Sequence, residues 1–289
     1  MRRAGTLAAT AVWTFAVLSL PVTASAGGPV PDAGGEAELG VLLPVFADGF
    51  ESGNVSGWNP GPGPSENCVF TPDANGFFVL NSGVTDYVVR LPVGYDVANP
   101  TPRRLLVAIH GCGDTALNFA GWAAAPWPLR PTLDYIAISI GGRDGQCWSL
   151  SDAAWVEAAI ADVRACFWVH QKEIVLAGFS SGGGLAYKMA MDDAAAYAGV
   201  LIENSSLSSV VGSGNVDAVL DAAAWKLHIG HTARLGDVNY PIAGVRADWT
   251  KMLNHAFPLQ SRELAGQHGD TGTDWEGFLI PMMANWAAP

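Results

Sequence analysis

Glu173-Ile174-Val175-Leu176-Ala177-Gly178-Phe179-Ser180-Ser181-Gly182-Gly183-Gly184 runs a short apolar strand into Gly-x-Ser-x-Gly and then into a helix. Ile174, Val175 and Leu176 form the apolar run, and Leu185, Ala186, Met189 and Ala190 recur at helical spacing after the turn. A serine on so tight a turn projects its hydroxyl above the edge of a sheet. Small residues are needed two before and two after it, because a side chain there meets neighbouring backbone. This is the layout of a nucleophile elbow and makes Ser180 the candidate nucleophile. The pentapeptide alone is a weak signal, and a glycine-rich connection without chemistry is the competing reading. The flanking strand and helix carry the inference.

Outward from the elbow, apolar runs predict strands near 77–80, 86–91, 104–110, 135–140, 173–178, 198–203, 226–231 and 259–264. Helical patterns fall at 152–167, 181–192, 241–254 and 274–286. Leu105-Leu106-Val107-Ala108-Ile109 and Ile136-Ala137-Ile138-Ser139-Ile140 are apolar on both faces, as parallel strands covered by helices must be. The expected class is α/β: a mostly parallel central sheet with helices on both faces. The Asn81-Ser82-Gly83 turn makes the first two strands an antiparallel hairpin at the N-terminal edge.

Acyl transfer by serine needs a base, a carboxylate to orient it, and donors for the oxyanion. In the α/β-hydrolase fold these follow in the order serine, acid, histidine. Of the six histidines, His268 stands in a glycine-flanked loop after the last strand and is the expected base. His228 reads as a core histidine, His231 ends its strand and is a candidate for lining the site, and His255 caps or packs a helix end. Asp237 lies in the loop after the seventh strand, and Val238-Asn239-Tyr240-Pro241 follows it into a helix, so it is the expected acid. Asp217 and Asp221 precede that strand, at its wrong end. Ile109-His110-Gly111-Cys112-Gly113 ends the third strand, so the amides of Cys112 and Ser181 are the expected oxyanion hole.

The chain's ends and composition set the context. Residues 1–26 read as a secretory signal: Arg2 and Arg3, an apolar stretch from Leu7 to Leu20, and Ala24-Ser25-Ala26 as cleavage site. Thr6, Thr10 and Thr14 interrupt the apolar run, which argues against a stable membrane anchor. Residues 27–66 read as a Gly/Pro-rich linker containing Asp48-Gly49-Phe50-Glu51-Ser52-Gly53, and residues 67–289 suit one catalytic domain. Without Arg2 and Arg3, 13 basic residues stand against 27 acidic ones, a formal charge of −14. That balance disfavours nucleic acid as a partner. A secreted, extracellular or periplasmic monomer is the expectation.

Export makes disulfides reasonable for Cys68, Cys112, Cys147 and Cys166, for which three pairings exist. Cys112 and Cys147 both follow strands at the edge that carries the site, so they are expected to pair; Cys68 with Cys166 follows by elimination. No ligand spacing suggests a metal site, and no cofactor is expected.

Taken together, His110-Gly111-Cys112-Gly113, Gly145-Gln146-Cys147-Trp148, Gly178-Phe179-Ser180-Ser181-Gly182-Gly183 and Asp237-x-x-Tyr240-Pro241 resemble the secreted esterase group that includes polyhydroxybutyrate depolymerases and feruloyl and acetylxylan esterases. The resemblance covers about residues 85–286. It implies a Ser180, Asp237 and His268 triad, an oxyanion amide from Cys112, and a carboxylic ester as substrate, small or polymeric. A serine peptidase or amidase on the same fold, or a catalytically idle binding module, are the alternatives.

Asn204 to Gly214 offers too short a connection for a large lid, which predicts an open site. Trp148, Trp122 and Trp127 are the candidates for an aromatic substrate wall, among eleven tryptophans of which most must be core.

Overall fold

A computed structural model of the chain describes residues 68–96, 98 and 101–289. The signal, the linker with its Asp-Gly-Phe-Glu-Ser-Gly segment and the first residue of the expected catalytic domain lie outside the described residues.

Eight strands form one sheet: β1 (Phe77–Asn81), β2 (Asp86–Arg90), β3 (Arg103–Ile109), β4 (Ile136–Ile140), β5 (Val169–Phe179), β6 (Gly199–Glu203), β7 (His228–Arg234) and β8 (Leu259–Leu264). Their order is β1-β2-β4-β3-β5-β6-β7-β8. β1 with β2 and β2 with β4 are antiparallel, and every other neighbouring pair is parallel. The expected mostly parallel sheet with an antiparallel N-terminal edge is therefore present.

Both faces of the central strands are buried, and period-two alternation divides them between two cores. Leu105, Val107 and Ile109, with Ile174 and Leu176, face one core together with α2 (Ala153–Cys166), α3 (Ser181–Asp192), α4 (Ser208–Val211), α5 (Val216–Ala222) and α6 (Ile242–Asn254). Leu106, Ala108, Val175 and Ala177 face the other, formed by α1 (Ala116–Phe119), the turn that continues it, and the C-terminal segment from Trp275.

Two departures from the predicted elements have local causes, and a third, in β7, does not. The helix expected over 274–286 is broken into a π turn at Trp275–Leu279, α7 (Ile280–Met282) and a 3₁₀ turn at Met283–Asn285. Pro281, which lacks an amide hydrogen, stands in the first turn of the middle piece. The chain between β3 and β4 contains α1, unforeseen because it is one turn long; Thr115 caps it, accepting from the Asn118 amide at 3.2 Å. Strand β7 continues to Arg234 rather than ending at 231, so His231 is a mid-strand residue.

Candidate active site

The parallel strands end together, and their C-terminal turns carry the site. Ser180, between β5 and α3, has φ 55° and ψ −121°, a conformation a non-glycine residue adopts only when its surroundings enforce it. Its amide donates to the Glu203 carbonyl at the end of β6, 3.1 Å away. A Cβ on Gly178 would lie 2.4 Å from the Gly182 carbonyl oxygen, and one on Gly182 would lie 2.1 Å from that of Ile109. The two glycines are thus required by contact with backbone, and the second holds the start of α3 against the end of β3.

His268 Nε2 lies 2.8 Å from Ser180 Oγ, and His268 Nδ1 lies 2.8 Å from Asp237 Oδ2. A carboxylate only accepts, so Nδ1 carries the hydrogen and Nε2 accepts from the serine hydroxyl. Asp237 is 5% exposed, and its other oxygen accepts the amides of Asn239 at 2.8 Å and Tyr240 at 3.0 Å. The His268 loop is tied down from two sides. Asn204 Nδ2 donates to the His268 carbonyl at 3.0 Å, and the Gln267 amide donates to Asp270 at 2.7 Å. Beneath this loop, Arg234 pairs with Asp274 at 2.5 Å and donates to the Ala265 carbonyl. Burial, with Asp274 beside it, pushes the Glu203 carboxyl well above the usual carboxylate range.

Cys112 is bonded to Cys147, the pair expected from strand positions, and Cys68 to Cys166, the pair expected by elimination. Ser181 Oγ lies 3.3 Å from Cys112 Sγ and accepts the Trp148 amide at 3.3 Å. The loop after β3, the Trp148 loop and the first turn of α3 therefore meet at one point. The Ser181 amide opens α3, where the first amides have no acceptor within the helix.

The tryptophan candidates separate. Trp148 is only 7% exposed, but with Ser149, Ser181, Leu185, Val210 and Tyr240 it lines a groove of about 290 Å³ beside the elbow. Trp122 is half-buried, donates to Asp114 at 3.0 Å, and meets the Phe179 ring edge-on at 5.8 Å. Trp127 does not belong to the wall: it is 70% exposed under Arg130, whose guanidinium also covers Phe77 of the edge strand β1.

The histidines of β7 require a correction. His231 is fully buried and touches no solvent; its Nδ1 lies 2.7 Å from the Tyr187 hydroxyl and 2.8 Å from Trp249 Nε1, so it is the core histidine. Burial lowers its pKa to about 3. His228, read as core, is partly exposed and stacks on Trp286 at 5.2 Å. The longer strand exchanged their roles. His255 ends α6 and pairs with Asp217 and Asp221, in keeping with a capping residue.

Sequence reading missed two residues of this site, Phe179 and Tyr240, whose rings both stack on His268. Their positions beside the serine and after the acid were the available signal.

No family model matches the chain. Among curated proteins it is 29% identical over 182 residues to feruloyl esterase C of Emericella nidulans, covering 61% of this chain and 64% of that protein. It is 30% identical over 153 residues to a probable feruloyl esterase C of Aspergillus clavatus, covering 50% and 54% respectively. The chain thus spans less than two thirds of the length of the curated relatives it matches. Among solved structures it superposes on a ferulic acid esterase with a TM-score of 0.52 at 16% identity, over 70% of this chain and 90% of the other. An acetyl xylan esterase from Aspergillus awamori gives 0.52 at 14% identity, over 70% and 99%. The fold is that of the α/β-hydrolases. In the strand order found here, Ser180 follows β5, Asp237 follows β7 and His268 follows β8.

Proposed function

We propose that this chain is a serine esterase that hydrolyses carboxylic esters through a Ser180, His268 and Asp237 triad and an acyl-enzyme. The observation that carries the reading is the unbroken line of contacts from Asp237 Oδ2 through His268 to Ser180 Oγ, 2.8 Å at each step. His268 Nε2 takes the hydroxyl proton as Ser180 Oγ attacks the ester carbonyl. The carbonyl π pair moves onto oxygen, which the amides of Cys112 and Ser181 receive; each such donor is worth ~3 kcal/mol at the transition state. Asp237 keeps Nδ1 protonated and balances the imidazolium. Collapse expels the alcohol, which takes the proton from His268, and water then repeats the sequence to release the acid and free Ser180.

Polyhydroxyalkanoate, feruloyl and acetyl esters are the substrate classes in view. The names of the similar proteins, feruloyl esterase C and acetyl xylan esterase, support the last two. Export after signal cleavage, as a monomer, is the proposed setting, and two disulfides support the export. Among the described residues no helix is long and apolar enough to cross a membrane. Hydrolysis of p-nitrophenyl acetate against its amide analogue, with Ser180→Ala as control, tests the reading. Ester turnover lost in the variant supports it; faster amide turnover makes the chain an amidase, and no turnover of either makes it a binding module.

A further inference from the structure

The two hydrogen bonds of His268 hold its imidazole at Nδ1 and Nε2, and so leave the ring free to tilt about the line joining those atoms. Two aromatic rings address that freedom. Phe179 stacks on His268 with centroids 5.2 Å apart and planes at 29°, and Tyr240 does so at 5.5 Å and 27°. Each ring is itself fixed. A Cβ on Gly111 would lie 2.4 Å from a Phe179 ring carbon, so only glycine leaves room for that ring. Trp122 braces Phe179 edge-on at 5.8 Å and is anchored to Asp114. The Tyr240 amide is held by the same Asp237 carboxylate that grips His268.

We propose that Phe179 and Tyr240 form an aromatic clamp that positions the His268 imidazole and stabilises its protonated form during turnover. The proposal rests on the triad reading above. A cation over an aromatic face gains roughly 0.5–2 kcal/mol. His268 is a cation only after it takes the serine proton, so the gain falls on the transition state rather than on the resting enzyme. Asp237, from the turn after β7, holds Nδ1 of the imidazole; Asp270 holds the Gln267 amide on the same loop; and Asn204, which holds the His268 carbonyl just after Glu203 ends β6, is neutral. The rings therefore add a contribution that ion pairing does not duplicate.

Phe179→Leu and Tyr240→Leu keep apolar volume and remove the π face. Each is expected to lower kcat on p-nitrophenyl acetate by about 2- to 30-fold with little change in KM. The acid limb of kcat/KM moves to lower pH, because the imidazolium has lost stabilisation. Tyr240→Phe, which keeps the ring, should lose less kcat than Tyr240→Leu and keep the wild-type acid limb. A second readout needs no turnover: in a Ser180→Ala background, NMR titration of His268 should have a lower midpoint with Tyr240→Leu than with Tyr240→Phe, which also carries the test if Phe179→Leu fails to fold. Leucine variants with the wild-type acid limb and midpoint overturn the clamp. So does a Tyr240→Phe enzyme as impaired as Tyr240→Leu, since the hydroxyl rather than the ring would then matter. Retained turnover in His268→Ala overturns the triad reading instead, a separate failure.

Discussion

Ser181 Oγ lies 3.3 Å from Cys112 Sγ, which joins the two residues whose amides are assigned to the oxyanion hole. A bridged sulfur has no hydrogen to give, so the Ser181 hydroxyl donates to it and in turn accepts the Trp148 amide. The bridge thus sets the spacing of the two amides. A Cys112→Ala/Cys147→Ala enzyme, with Cys68–Cys166 intact, should lose roughly 10- to 1000-fold in kcat. Stability should fall by about 2–4 kcal/mol in urea unfolding. Wild-type kcat in the unbridged enzyme would remove the bridge from the account of the oxyanion.

Asp237→Asn isolates the charge of the acid. The asparagine carbonyl oxygen can still accept the Asn239 and Tyr240 amides, so the turn should fold, while the His268 tautomer is no longer enforced. A loss of about 10⁴ in kcat is expected with little change in thermal midpoint. Turnover like that of wild type would assign the acid to another carboxylate.

Stability should depend on pH through His231. Its pKa in the fold, about 3, lies below the ordinary 6.5 because burial penalises the charged ring. Between those values the unfolded chain binds a proton that the folded chain does not. The His231 contribution is therefore intact above pH 6.5 and is lost as pH falls from there toward 3, at a cost reaching a few kcal/mol. Urea unfolding from pH 7 to pH 4 checks this: His231→Gln should be less stable than wild type at pH 7, yet lose less as pH falls. Equal slopes for the two enzymes would contradict the assignment.

Trp148 remains the proposed determinant of substrate bulk. Its indole is mostly buried beside His110, and its contribution to the 290 Å³ groove is the part a large acyl group would reach. Trp148→Ala should lower kcat/KM for methyl ferulate by ~1–3 kcal/mol in transition-state terms and affect p-nitrophenyl acetate much less. Equal losses on both would make Trp148 a support for the oxyanion loop.

Much of this molecule is legible in its sequence because local constraints repeat what the fold requires. The double-faced apolar strands, Gly178 and Gly182 flanking Ser180, and the loop positions of Asp237 and His268 each signal the place the structure assigns them. What escaped is non-local. His228 and His231 were exchanged because alternation cannot tell where β7 ends, and that end is set by pairing with β8, six residues in register from Ile229 to Arg234. Trp127 read as a site residue because, like Trp122, it follows the oxyanion strand, yet it lies under Arg130, which also covers Phe77 of β1. Phe179 and Tyr240 stand inside the serine and acid motifs, but their stacking on His268 is set by a partner 89 or 28 positions away.

The most direct test of the account is the covalent intermediate itself. Rapid acid quenching of the enzyme during p-nitrophenyl acetate hydrolysis, followed by peptide mass spectrometry, should find an acetyl group on the peptide containing Ser180, on Ser180 itself. Ser180→Ala should give neither adduct nor a nitrophenolate burst. An acetyl group on another residue, or undiminished hydrolysis by Ser180→Ala, would contradict the account.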